Sequence, residues 1–130
     1  MTPEWECAAR EGDVATLSSH LAAGADVDAL DRHGQSALML AALGGHLGAV
    51  QLLIRAGAAL DTTAKYRLSA LMLAVLRGHE PVARALAAAG ADLRLTGSGA
   101  PGFAGKTAAQ LASERGLHSL AEALTAGHAA

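Results

Sequence analysis

The sequence predicts an all-α solenoid in which short helix–turn–helix units stack side by side and are joined by β-hairpin-like loops. Three observations predict it. A period of 33 residues relates Gly12, Gly45 and Gly78, then Gly24, Gly57 and Gly90, then Ala8, Ala41 and Ala74. Between the glycines, apolar residues recur at helical spacing, as in Val50, Leu53 and Ile54. The chain is 52% hydrophobic but only 2% aromatic, so alanine must fill much of a core made of closely apposed helices. A unit this short cannot bury its apolar face alone, and copies must stack to share one core.

Four units follow in order, at about 2–30, 31–63, 64–96 and 97–127 within one domain spanning 1–130. In the second, Ser36 can cap a helix through Ala37–Leu43 by accepting from an orphan amide, and Gly44-Gly45 ends it. A second helix begins near His46-Leu47, and Gly57 supplies a residue suited to a left-handed cap. The third unit repeats this, with Ser69 as cap, Gly78 as stop and Pro81 near the next helix start, where its missing amide costs little. The first unit is an abbreviated N-terminal cap. There Trp5, Cys7 and Ala8 replace Leu38, Leu40 and Ala41, and Val14, Leu17 and Leu21 make the second apolar stripe. Cys7 is therefore expected to be buried, and as a single cysteine it can form neither an intramolecular disulfide nor a thiolate zinc site. The last unit is a C-terminal cap that keeps Leu111, Ala112, Gly116, Leu120 and Leu124. Its loop at 97–104 is inserted, because Gly116 follows Gly78 by 38 residues rather than 33.

The pattern Asp31-x-x-Gly34-x-Ser36-Ala37-Leu38-x-Leu40-Ala41-Ala42, followed by Gly45-His46-x-x-x-Val50-x-x-Leu53-Ile54-x-x-Gly57-Ala58 and again by Gly78-His79 through Gly90-Ala91-Asp92, resembles the ankyrin repeat family. Two departures stand out. The family's Thr-Pro-Leu-His appears as Ser36-Ala37-Leu38-Met39 and Ser69-Ala70-Leu71-Met72, without the histidine. Arg67 also stands where Gly34 supplies the turn glycine, at a cost of about 1 kcal/mol should that position need a positive φ.

Other chemistries are weaker. Ala100-Pro101-Gly102-Phe103-Ala104-Gly105-Lys106-Thr107 is a loose form of the phosphate-binding loop, yet no strand precedes it and no acidic metal partner is evident. His46 and His79 lie on successive units, roughly 8–10 Å apart, too far to converge on one ion, and are expected to be structural. No serine sits in a nucleophile-elbow context. No metal, cofactor or catalytic residue is expected. The net charge of −2 gives no reason to expect nucleic acid, and no apolar run reaches membrane-spanning length. Residues Met1–Glu6 lack a basic segment followed by an apolar stretch, so no signal peptide is expected, and a cytoplasmic monomer is.

The family resemblance implies a protein-interaction module that binds through its hairpin tips and the concave face of its first helices. The matching positions are Arg32, His33, Gln35 and Leu43, then Lys65, Tyr66, Leu68, Leu76 and Arg77, and Lys106 and Arg115 on the C-terminal cap. Leu43 and Leu76 would form an apolar strip flanked by basic residues, which calls for a partner surface that is acidic around an apolar centre. A nucleotide-binding protein or small enzyme using residues 100–107, and an inhibitory or structural subunit, are the alternatives. Phe103, the only phenylalanine, either tucks onto the last unit or anchors a partner.

Overall fold

A computed structural model describes residues 1–99 and 102–129, with side chains through Thr125. Eight α-helices form four antiparallel pairs: α1 (Pro3–Glu11) with α2 (Val14–Ala22), α3 (Ala37–Gly44) with α4 (Leu47–Arg55), α5 (Ala70–Leu76) with α6 (Glu80–Ala88), and α7 (Ala108–Glu114) with α8 (His118–Ala129). The first helices pack in the order α1, α3, α5, α7 and the second in the order α2, α4, α6, α8, giving an inner and an outer layer.

The caps explain where the helices start. Ser36 and Ser69 Oγ each accept, at 3.3 Å, from the amides of Met39 and Met72, and both serines are buried. Thr107 and Gln110 complete a reciprocal capping box on α7. Thr2 caps α1, and Asp13 caps α2 through Thr16. The core between the layers is built from Leu38, Leu40, Val50, Leu53, Leu71, Leu86, Leu111, Leu120 and Leu124, with buried alanines such as Ala41, Ala74 and Ala112 among them.

The second and third units are each latched to the one before. His46 Nε2 lies 2.8 Å from the carbonyl of Arg10, and His79 Nε2 lies 3.0 Å from that of Leu43. Each ring thus donates to an orphan carbonyl in the last turn of the preceding inner helix. On the outer side Asp28 Oδ1 accepts from the Ala59 amide and Asp61 Oδ1 from the Asp92 amide, both at 2.8 Å. These bonds fix the register of stacking, which apolar contact alone leaves loose.

The end unit departs from expectation. Cys7 is exposed, although Leu40 one period on is buried, because among the described residues no helix packs on that face of α1. Val14 is 40% exposed, its side chain facing Gly48 of the next unit, which offers no side chain to cover it. Trp5 and His20 occupy the positions of Leu38 and Leu53. Their rings tilt together at 6.2 Å, so the larger indole fills the gap left by an imidazole that turns to the Thr16 carbonyl.

Candidate interaction surface

The three hairpins share one closing hydrogen bond, from the amide of Asp31, Ala64 or Gly97 to the carbonyl of Gln35, Leu68 or Lys106. What lies inside that bond differs. In the first tip, Asp31 Oδ1 accepts from the amides of His33 (2.8 Å) and Gln35 (2.9 Å), and Gly34 takes φ 76°. Arg32 and His33 are left exposed at the turn. The Asp31 side chain is only 2% exposed and has Arg10 at 3.7 Å, so its charge is spent inside the fold.

The second tip has Ala64 in place of that aspartate and no glycine. Lys65–Arg67 forms a single 3-10 turn in which Tyr66 (φ 62°) and Arg67 (φ 58°) are both left-handed. Two consecutive side-chain-bearing residues in that region cost about 1–2 kcal/mol each. Such strain persists only where surrounding contacts over-determine it. Here the Ser98 amide donates to the Tyr66 carbonyl at 2.8 Å, and the Tyr66 and Phe103 rings meet at 5.6 Å. Lys65 Nζ lies 4.9 Å over the Tyr66 ring, a cation–π contact. Phe103 is half-buried against the core, and its ring also packs on the neighbouring tip.

Leu68 must be withdrawn from the binding surface. It is 6% exposed and joins the core beneath the tip, because an apolar residue following the turn gains by facing inward where Gln35 and Lys106 stay partly wet. Leu43 and Leu76 are half-buried on the inner helices, next to the exposed Gly44 and Arg77.

The third tip carries the phosphate-loop-like residues, of which Ala100 and Pro101 lie outside the described residues. Its remaining parts are occupied: Lys106 Nζ pairs with Glu114 at 2.8 Å, the Gly105 amide donates to Gly97 and the Lys106 amide to Phe103. No group of three or more metal-ligating side chains occurs among the described residues. His33 and His118 are exposed, and the side chain of His128 is outside the described residues.

With Asp31 closed in and Glu114 paired, the front keeps Arg32, Lys65, Arg67, Arg77 and Arg115 exposed and outside any ion pair among the described residues. At the N-terminal end the balance reverses. The Glu11 carboxylate foremost, then desolvation, then a hydrogen bond to Glu11 and the charges of Asp13 and Glu6, hold the Cys7 thiol above its ordinary range, which disfavours the thiolate.

A family model described as ankyrin repeats, three copies, matches residues 5–97. The chain belongs to the ankyrin repeat family. The match covers α1 through α6 and stops where the third hairpin begins, so the elongated tip and the α7–α8 pair lie beyond it. Ankyrin repeats are in general protein-interaction modules that perform no chemistry. No helix among the described residues is long and apolar enough to cross a membrane. The conformation of the second tip and its contact with Phe103 were not readable from repeat alignment, since Phe103 sits in the insertion and has no counterpart in other units.

Proposed function

We propose that this ankyrin repeat protein binds a partner protein through its front, and that the partner presents carboxylates around an apolar centre. The observation that carries this reading is the row of exposed cations without acidic partners, Arg32, Lys65, Arg67, Arg77 and Arg115, beside the half-buried Leu43 and Leu76. An unpaired basic row raises the encounter rate with an acidic surface, while the apolar strip supplies contact that slows release. The domain runs from the α1–α2 cap to the α7–α8 cap and performs no catalysis of its own. Against nucleotide binding through the third tip stand the engagement of Lys106 by Glu114 and the internal use of the Gly105 and Lys106 amides.

A display library of peptides selected on the wild-type protein tests the reading. Enriched sequences rich in Asp and Glu around Leu, Ile or Phe are expected, with binding lost on Arg32→Glu/Arg77→Glu and retained on Arg55→Glu, whose side chain lies on the outer layer. Binders insensitive to the front changes but lost on Arg55→Glu would overturn it. Arg84 is a less clean control because its guanidinium donates to Ser119 Oγ at 3.1 Å.

A further inference from the structure

The second hairpin tip combines three features that the first lacks. Its backbone is strained at two successive residues, Lys65 lies over the Tyr66 ring with Arg67 following in the chain, and another unit reaches both its backbone carbonyl and its aromatic ring. The first tip is braced by its own Asp31, whose carboxylate also meets Arg10 of the preceding unit at 3.7 Å. Ala64 removes that brace from the second, and the elongated third hairpin replaces it through the Ser98 amide on the Tyr66 carbonyl, the Phe103 ring, and Gly99, where a Cβ would stand 3.1 Å from the Tyr66 ring. A Gly at position 67 would relieve the strain at that residue, leaving that at Tyr66, and would also leave only one cation at the tip. Keeping Arg67 sacrifices stability for a charge at the surface.

From this we infer that the third hairpin is a buttress whose role is to hold Lys65-Tyr66-Arg67 as a two-cation clasp for neighbouring carboxylates of a partner protein, with Phe103 and Ser98 as positioning residues. The inference rests on the front-face reading and deepens it. Tyr66 is then a spacer, with Phe103 against its ring and Lys65 over it, so that part of its aromatic surface is engaged before a partner arrives. The bound chemistry is paired side-chain carboxylates, as in an Asp/Glu-rich segment. No acidic residue of this chain pairs with Lys65 or Arg67 among the described residues, so that role is left to the partner.

The test uses the full chain, a fluorescent peptide with two adjacent Glu pairs around a central Leu, its Gln-for-Glu counterpart, and amide hydrogen exchange. Phe103→Ala should speed exchange at the hydrogen-bonded amides of Ala64, Arg67 and Leu68 by about tenfold or more, leave α3 and α5 unchanged, and weaken the acidic peptide about tenfold. Phe103→Leu should fall between. Arg67→Gly should raise Tm by about 4 °C yet weaken the peptide at least as much as Phe103→Ala, which separates loss of binding from loss of folding. Arg67→Gln should weaken it without the gain in Tm. Unchanged exchange and affinity in Phe103→Ala would overturn the inference. So would a peptide lost on Arg32→Glu/Arg77→Glu but indifferent to Lys65→Gln, Arg67→Gly and Phe103→Ala, a result that leaves the front-face reading standing. Equal binding of the Gln peptide, no binding of the acidic peptide, or preference for a single-stranded oligonucleotide would defeat both.

Discussion

Gly45→Ala offers a quantitative test of how the units interlock. Gly45 ends α3 at φ 72°, and a Cβ there would lie 2.6 Å from His79 Nδ1 and 2.7 Å from Cε1, well inside contact distance. Gly78 has the same role at φ 75° with nothing within 4 Å, because Leu117 stands where a third histidine would be. Gly78→Ala therefore carries only the backbone cost, about 1–2 kcal/mol. Gly45→Ala carries that cost plus about 1–3 kcal/mol of overpacking, or else expels the imidazole and loses its hydrogen bond to the Leu43 carbonyl, worth about 1 kcal/mol. In a His79→Ala background the clash is gone, and Gly45→Ala should cost no more than Gly78→Ala. Urea unfolding of the two single variants and the double variant should give a coupling of about 1–3 kcal/mol at unchanged m. Additivity within about 0.5 kcal/mol, or equal costs for Gly45→Ala and Gly78→Ala, would refute the argument that the histidine ring fills the space glycine leaves.

Three further outcomes follow from the caps and the N-terminal end. Ser69→Ala should lose about 1 kcal/mol in urea unfolding, the typical worth of a helix cap, since its Oγ accepts from the Met72 amide. Asp13 has its carboxyl held below the ordinary range, first by the Thr16 hydroxyl and then by the Thr16 amide. A depressed folded-state pKa means that its contribution to stability is complete above the ordinary carboxylate pKa and is lost as pH falls through the depressed value; in a carboxyl NMR titration the Asp13 midpoint should rise on Thr16→Ala, which removes the hydroxyl. Cys7 should react with iodoacetamide at neutral pH more slowly than a free cysteine, and Glu11→Gln should speed it, because the Glu11 carboxylate is the first cause of the raised thiol pKa. An unchanged rate in that variant would contradict the electrostatic explanation.

The helices were legible in the sequence because their signals are local. Ser36 and Ser69 as caps, Gly45 as stop and the Val50–Leu53 stripe each depend on residues within a turn or two. The structural role of His46 and His79 followed from spacing, but their acceptors, the carbonyls of Arg10 and Leu43, appear only once the units are stacked. Alignment by period failed where a residue's neighbours differ from those of its repeat counterparts. Cys7 was assigned to the core by analogy with Leu40, yet lies on a face of α1 where no helix packs among the described residues. Leu68 was assigned to the surface by analogy with Gln35, yet its own chemistry turns it inward. Arg67 in place of the turn glycine was the one visible sign of an unusual second tip. The cause of its stability, Phe103 and Ser98 from the insertion, could not be read from the period because the insertion breaks it.

The most direct test of the front-face account is kinetic. For a peptide or protein binder selected on the wild type, association and dissociation rates are measured at low and physiological salt for Arg32→Glu, Leu76→Ala and Arg55→Glu. The account predicts that Arg32→Glu slows association, and does so less at higher salt, because the exposed charge acts mainly through long-range attraction. Leu76→Ala should chiefly speed dissociation, for an affinity loss of about 2 kcal/mol, while Arg55→Glu changes neither rate. Faster dissociation caused by Arg55→Glu together with unaltered rates in the two front variants would place the binding surface on the outer helices and contradict the account.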